Sequence, residues 1–587
     1  MTEYRWNIAS LTPEEQNIQA WLARDLHISE ASAHLLVMRG IRTAEEAREF
    51  VRPSLSRLHD PFLMRDMDKA VTRLTQAIET HENILIYGDY DVDGTTAVAL
   101  MYRFLRPLTP HLDYYIPDRY TEGYGVSTQG IDYAAAHQCS LIIALDCGIK
   151  AVDKVRYAND KHIDFIICDH HTPGDTLPQA VAVLNMKRSD CPYPYKELSG
   201  CGVGFKLAQA YTLQHHLPTC TLTPLLQLLA MSIASDVVPI TGENRILAHY
   251  GIRQINEHPF AGISALMHVA AIENGKININ DLVYKIGPRI NASGRMKSGR
   301  EAVKLLMTDD ISLAQQQADE INTYNVERQN CDTETTKQAL ELLTQDPDNA
   351  SRKSTVVYAP TWHKGVVGIV ASRLTERFYR PTIVLTAGEG DIISGSARSV
   401  GGFDIYSAID SCHDLLTNFG GHVFAAGLSM RLRDLDEFKQ RFEHYVATHI
   451  HENQLRPTLH IEDEIQLADI DSQFWRILKC LEPFGPGNPR PLFVTRRLIN
   501  NHDTRAVGKT GEHLRLDVTD RTAAITGIAF GRSDMEMPLR NGLPVDICYE
   551  LDENTFHHKT TIQMMAQDIR LCSTKETHED HASDEGV

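Results

Sequence analysis

The chain has no stretch of about 18 consecutive apolar residues, the least an α-helix needs to cross a bilayer, so no membrane span is expected. Its opening, MTEYRWNIASLTPEEQ, lacks the basic start and apolar centre of a secretory leader, and a cytoplasmic location is expected. C-x-x-C pairs are missing too. Eleven cysteines are scattered along the sequence, Cys139, Cys147, Cys168, Cys191 and Cys201 among them, which argues against a zinc knuckle or disulfide framework and for reduced thiols. There is no Walker sequence. The glycines of GCGVGFK (200–206) lack the Lys-Ser/Thr ending of a phosphate loop, and close helix packing is the preferred account of them. A basic surplus is also absent. The net charge is −19, so the chain as a whole repels nucleic acid, and binding of one must come from local cations. The tail ETHEDHASDEGV (576–587) supplies part of the acid and is expected to be disordered.

A length of 587 residues is too great for one core. Residues 1–75 have apolar positions at helical spacing, as in WLARDLHISEASAHLLVMRG and TAEEAREFVRP. From 76 to 310 short apolar runs alternate with helical segments: NILIYGDYDVDG, LDYYIP, SLIIALDCG, DFIICDHH and AVAVLN. That alternation predicts an α/β domain on a parallel sheet. Residues 311–350 have few Gly or Pro and predict a long connecting helix. A second, smaller α/β domain is expected over 351–452, from STVVYAP to FGGHVFAAGLSM. Short alternating strands over 453–575 predict a small β-barrel.

The strongest chemical signal is GDYDVDG, with Asp89, Asp91 and Asp93 just after an apolar strand. Alternate residues of an extended segment point the same way, so three carboxylates converge if the segment stays extended. Like charges so placed repel unless a cation lies among them. Asp146 ends the next strand in ALDCG, and Asp169, His170 and His171 end another in ICDHH. In a parallel α/β sheet these strand ends share one edge, where ligands bind. Asp236, in SIASDVVPI, follows a helical stretch and reads equally as a helix cap or a further ligand. Carboxylate oxygens with an imidazole suit Mn²⁺ or Mg²⁺ rather than a thiolate-held zinc, and a carboxylate bridging two ions would permit two-metal phosphoryl chemistry.

GDYDVDG, LDCG, CDHH and ASDVVP, in this order, resemble motifs I to IV of the DHH phosphoesterase family. IPDRYTEGYG, LSGCGVGFKLAQA, IGPRINASGRM, HKGVVGIVASRLTERFYRPTIVL, SGSARS, FGGHVFAAG and LEPFGPGNP extend the likeness across most of the chain, toward the family's bacterial single-strand-specific exonucleases. The resemblance implies a DHH catalytic domain, a DHHA1 substrate-binding domain and an OB-like barrel. It implies metal ligands at Asp91, Asp93, Asp146, His170 and Asp236, with Asp89 an additional acid. By the same likeness His171 contacts the scissile phosphate or assists the attacking water. Several small-molecule members carry a metal-binding His where this chain has Tyr87, which leaves open whether Asp89 or water completes one site.

Substrate candidates are Arg119 with Tyr120 and Tyr124, then Arg289, Asn291 and Arg295 among the glycines of IGPRINASGRM, then Ser396 and Arg398 in SGSARS, and His422 in the GGH triplet. Arg pairs with phosphate oxygens, Tyr stacks on bases, and Gly lets backbone approach closely. The resemblance implies that Arg119, Ser396 and Arg398 grip a 5′ end. It further implies 5′-to-3′ release of mononucleotides from single-stranded DNA, with a helicase and a single-strand-binding protein as natural partners in repair and recombination. Trp475, Phe474 and Phe493 read as base-stacking or, more readily, core residues. The His pairs 215–216 and 557–558 read as solvated, and PFGPGNPRP (483–491) as a rigid loop that sets an interdomain angle. Two other readings compete: a phosphodiesterase for short or cyclic oligonucleotides, whose chains usually lack the barrel, and a non-catalytic DNA-binding relative, which would have lost the ligands.

Overall fold

The computed structural model describes residues 4–556 and 559–572. The pair His557-His558 and the acidic tail lie outside the described residues. The chain divides into two compact units. One comprises residues 53–455 and 483–488. The other comprises 1–52, 456–482 and 489–587.

In the first unit, β1 (Asn83–Gly88), β2 (Leu112–Tyr115), β3 (Cys139–Leu145), β4 (Asp164–Cys168) and β5 (Ala182–Leu184) form one sheet in the order β2-β1-β3-β4-β5. Every pairing is parallel, as the strand–helix alternation predicts. Alternate residues feed two cores. Ile84, Ile86, Leu141, Ile143 and Ile166 pack on one face, and Leu85, Tyr87, Ile142, Ala144 and Phe165 on the other. A strand buried on both faces reads as a continuous apolar run, which is why these segments stand out in the sequence. The order reverses between β1 and β3, so the loops after these two strands diverge and open a crevice. Helices α1 (Val92–Leu105), α2 (Gly200–Gln214), α3 (Leu226–Ser235) and α4 (Gly287–Met296) pack around that edge.

Helix α5 (Ile311–Gln345) follows as one 35-residue rod that spans about 52 Å at 1.5 Å per residue. It leads into a mixed five-stranded sheet of β6 (Thr355–Tyr358), β7 (Thr382–Ala387), β8 (Ile392–Arg398), β9 (Leu416–His422) and β10 (Ala425–Arg431), in the order β9-β10-β8-β7-β6. Helix α6 (Val367–Phe378) packs on β7 and β8.

In the second unit, five strands close on themselves: β11 (Phe493–Asn500), β12 (His513–Thr519), β13 (Ala524–Ala529), β14 (Val545–Phe556) and β15 (Lys559–Leu571). Strand β11 pairs with both β14 and β12, and β13 runs parallel to β15, which completes the barrel. The helical expectation for 1–75 holds in part. Residues 13–26, 30–38, 44–51 and 67–79 are helical, but Arg5–Ile8 is a strand paired in parallel with Thr458–Ile461. Four residues are too few to register a period. Trp6 and Ile8 pack against Ile461, Val494 and Cys548. Residues 1–52 thus group with the barrel, and those from 53 onward with the catalytic unit. Phe474 and Phe493 are core residues, buried with their rings 5.6 Å apart. Trp475 is half-buried and donates its indole N–H to Glu553 at 2.7 Å. His215 departs from the solvated expectation: it accepts or donates with Thr75 at 2.7 Å and stacks on Tyr211, whereas His216 is exposed.

Candidate active site

The acids converge by a different route from simple strand alternation. Strand β1 ends at Gly88, and the chain turns at once into α1. Asp89 is buried in the turn. Asp91 caps the helix, its Oδ1 accepting from the Gly94 N–H at 3.0 Å. Asp93 stands in the first helical turn, where its carboxylate accepts from the N–H groups of Gly200 (2.7 Å) and Cys201 (2.9 Å) and from Ser232 Oγ (2.6 Å). The glycine-rich start of α2 therefore cradles a carboxylate rather than a phosphate, with the helix dipole favouring that charge. Gly200 has to be glycine: a Cβ there would lie 2.6 Å from both Cβ and Oδ1 of Asp146.

Asp146 follows β3 in a left-handed conformation, φ 59°, with its N–H on the Cys168 carbonyl. His170 Nε2 lies 3.3 Å from Asp146 Oδ1, 3.5 Å from Asp236 Oδ2 and 3.9 Å from Asp93 Oδ2. Asp236 sits at the C-terminal cap of α3, where the dipole disfavours a carboxylate. These approaches lack hydrogen-bond geometry. Asp89 Oδ2, Asp146 Oδ1, Asp236 Oδ2 and both ring nitrogens of His170 are buried without a hydrogen-bond partner. Burial and mutual repulsion push Asp89, Asp91, Asp146 and Asp236 above the ordinary carboxylate range, and burial lowers His170. Orphaned oxygens and an unprotonated imidazole aimed at common points are what a hard divalent cation requires, so the donor set fits Mn²⁺ or Mg²⁺.

Sequence reasoning gave Asp169 no separate role, and the structure supplies one. Its Oδ1 accepts from His171 Nδ1 at 2.7 Å and from the backbone N–H of His170 and His171, while Oδ2 accepts from Ile149 N–H at 2.9 Å. Burial alone would raise Asp169, but these donors outweigh it and hold it below its usual range. Burial likewise opposes the charge on His171, yet the Asp169 bond and the nearby acids raise it. His171 thus presents Nε2 outward, 3.1 Å from the Tyr124 hydroxyl, which also lies 3.0 Å from the Asp146 carbonyl. Lys187, just past β5, is a second residue the sequence did not single out; its charge bears on both His170 and Asp236. Its only sequence signal is its place after the fifth strand end. Tyr87 is fully buried, with its hydroxyl donating to the Gly125 carbonyl at 2.9 Å and accepting from Ser127 N–H at 3.1 Å. It fixes the loop that bears Tyr124, and the oxygen left open nearby is Asp89 Oδ2.

Beside the acids lies a cavity of about 420 Å³ lined from both α/β domains. Tyr90, Arg119 and Tyr120 form one wall; Lys364, Ser394, Ser396, Asn418 and Gly427 are among those forming the other. The Arg119 guanidinium covers the Tyr90 ring at 4.9 Å, and Ser394 Oγ is buried without a partner. Arg398 adjoins Ser396: a Cβ on Gly368 would lie 3.1 Å from Arg398 Nη2 and 3.2 Å from Ser396 Oγ. Arg295 donates to the Gly365 carbonyl at 2.9 Å, and burial, then Arg119, lowers it to about 10. The remaining candidates are placed elsewhere. Arg289 donates to Asn322, Lys285 and Val269, tying α4 to its neighbours, and Asn291 is half-buried on the same helix. His422 is exposed at the end of β9, its Nδ1 accepting from the Phe424 N–H at 3.3 Å.

Comparison with known proteins agrees with this geometry. Residues 83–233 match the DHH family N-terminal domain, 353–448 the DHHA1 domain, and 461–568 the RecJ OB domain. The chain is 35% identical to the single-stranded-DNA-specific exonuclease RecJ of Bacillus subtilis, over 97% of this chain and 71% of that protein. It is 32% identical to that of Escherichia coli, over 91% and 95% respectively. The crystal structure of Thermus thermophilus RecJ in complex with Mn²⁺ superposes with a TM-score of 0.83 at 28% identity, covering 97% of this chain and 80% of that one. By sequence along nearly its whole length and by fold, the chain belongs to the RecJ family of DHH-type exonucleases.

Proposed function

We propose that the chain is a single-stranded-DNA-specific exonuclease that hydrolyses phosphodiester bonds from the 5′ end and releases 5′-mononucleotides. The observation that carries this reading is one arrangement: orphaned carboxylate oxygens and His170 at the strand ends, with a cationic, hydroxyl-lined cavity starting at Tyr90, between Asp89 and Asp91. Arg119, Ser396 and Arg398 hold the terminal phosphate there, and Asp89, Asp91, Asp93, Asp146, His170 and Asp236 hold two ions. When bound, Mn²⁺ or Mg²⁺ supplies positive charge for the phosphoryl oxygens and makes a water acidic enough to attack. Asp169 orients His171 through Nδ1, and the Tyr124 hydroxyl meets Nε2 and steadies the ring until a phosphate oxygen approaches that nitrogen. An anchored end makes cleavage exonucleolytic, because the bond presented to the acids is then counted from the strand's terminus. Full retention of the acid and His set supports an active enzyme over a non-catalytic relative, and the closed barrel supports a polymer over a cyclic dinucleotide. Among the described residues no helix is long and apolar enough to cross a membrane. The reading includes a cytoplasmic location and a role in DNA repair and recombination, where a helicase exposes the strand and a single-strand-binding protein covers it.

The test is incubation of 5′- and 3′-labelled single strands with Mn²⁺, with product lengths followed over time. A 5′-labelled mononucleotide is expected as the first product. Early release of the 3′ label, or internal fragments, would refute the anchored 5′ end. Blunt duplex is expected to be a poor substrate.

A further inference from the structure

Asp236 is carried on a turn held in an unfavourable backbone shape. The next residue, Val237, has φ 59°, a left-handed conformation that a β-branched residue rarely adopts. Its side chain is 64% exposed and contributes little packing to hold that shape. The restraint lies farther along. The Pro239 carbonyl accepts from the Tyr195 hydroxyl at 3.2 Å and Asn244 Nδ2 at 3.0 Å, and the Ile240 N–H donates to the Pro486 carbonyl at 2.6 Å.

Pro486 belongs to the segment 483–488, which groups with the catalytic unit although the residues on both sides of it group with the other. The segment is a closed loop: Gly485 and Asn488 exchange backbone hydrogen bonds of 2.9 and 3.0 Å, and Asn488 Nδ2 donates to the Pro483 carbonyl at 2.9 Å. It presses on the turn without room for a methyl group. A Cβ on Gly485 would fall 2.5 Å from Ile240 Cγ1, and one on Gly487 2.9 Å from Thr241 Cγ2. The sequence suggested a spacer between domains here; the contacts are with the turn that follows a metal-cluster carboxylate.

We propose that Pro483–Asn488 is a positioning element of the catalytic centre. By pinning Ile240 and Thr241 it keeps Val237 left-handed, and so keeps Asp236 Oδ2 at its 3.5 Å from His170 Nε2. Without the pin, Val237 relaxes to an ordinary φ and the Asp236 carboxylate swings with it. The inference rests on the metal-cluster reading of Asp236. None of the loop's residues touches the reacting atoms, so its loss registers first in metal affinity.

The experiment is Mn²⁺ titration of the full chain without DNA, by calorimetry or electron paramagnetic resonance, alongside thermal melting. Gly485→Ala and Gly487→Ala are expected to bind Mn²⁺ about ten-fold more weakly or worse, as losses of supporting residues around metal ligands do. Gly542→Ala is the control: it too has a positive φ, 77°, but nothing lies within 4 Å of its Cβ. It is expected to bind Mn²⁺ normally. In a Val237→Gly background the turn needs no restraint, so the Gly487→Ala loss is expected to shrink. Gly485 has no left-handed φ, so Gly485→Ala serves if Gly487→Ala melts too low. Normal Mn²⁺ affinity in both loop variants, beside a loss in Asp236→Asn, overturns the positioning role alone. An equal loss with and without Val237→Gly overturns the link to strain. Unchanged affinity in Asp236→Asn overturns the metal reading and this inference with it.

Discussion

Three of the five parallel strands, β1, β3 and β4, deliver Asp89, Asp146, Asp169, His170 and His171 to one edge of the catalytic sheet, whereas the mixed sheet of β6–β10 offers Ser394, Ser396 and Gly427 from the middle of its ladder. A parallel sheet ends all its strands on the same side, so it gathers groups that repel one another, and a cation has to satisfy them. An antiparallel ladder sets residues directly opposite. Ser396 faces Gly427 and Ser394 faces Ser429, which leaves a shallow floor of hydroxyls and backbone. The first geometry concentrates charge for chemistry. The second spreads neutral donors for grip, with Arg119, Arg295 and Arg398 supplying cations nearby. On the proposed reading, that division is how a chain of net charge −19 takes hold of a polyanion.

If the division is right, damage to the parallel edge reduces turnover and damage to the ladder reduces binding. The largest effect is expected from Asp146→Asn, chosen because Asn tolerates φ 59°. Metal-dependent nucleotide release should fall by about 10²–10³-fold or more, with circular dichroism unchanged; undiminished activity would remove Asp146 from the metal cluster. Gly200→Ala comes next. Its methyl would displace Asp146, and an ångström-scale shift costs about 10²-fold in kcat. Arg398→Ala should instead raise KM by about ten-fold with kcat nearly intact, the scale of one lost charged hydrogen bond. A fall in kcat alone would blur the comparison.

The smallest effect concerns stability away from both sites. Glu82 accepts from Arg73 at 2.7 Å and from Ser140, joining the helix 67–79 to the start of the catalytic sheet. Burial alone would raise its carboxyl, but the Arg73 and Ser140 bonds prevail and lower it below 4.5. A carboxyl lowered by folding stabilises above its unfolded value, and that contribution is lost as pH falls through the folded value. Melting temperature should therefore drop on acidification below about pH 4.5, and less steeply in Arg73→Met.

Much of the catalytic sheet was legible because strands buried on both faces are written as apolar runs, and their ends as Gly and Asp. The partners that complete the site were not. Gly200, Cys201 and Ser232 reach Asp93 only through the packing of α2 and α3 against α1, and no spacing announces that. Arg289 looks like a phosphate ligand among glycines, yet each of its three nitrogens already donates once, to Asn322, Lys285 and Val269. Trp475, Phe474 and Phe493 share their residue types with stacking platforms, and only burial separates core from surface. The strand Arg5–Ile8 is defined by a partner in the last third of the chain, which a local window does not see.

That pairing also sets an order of events at the ribosome. Asn7 and His460, side by side in the finished fold, are 453 positions apart in the chain. At about 5–20 residues per second, the first strand waits roughly 20–90 s for its partner to be made. Residues 53–455 are synthesised in that interval and can fold while the N-terminal segment waits. The acids of the exonuclease are thus made before its barrel, although the turn after Asp236 still waits for 483–488, and its earliest residues are among the last to meet their partner.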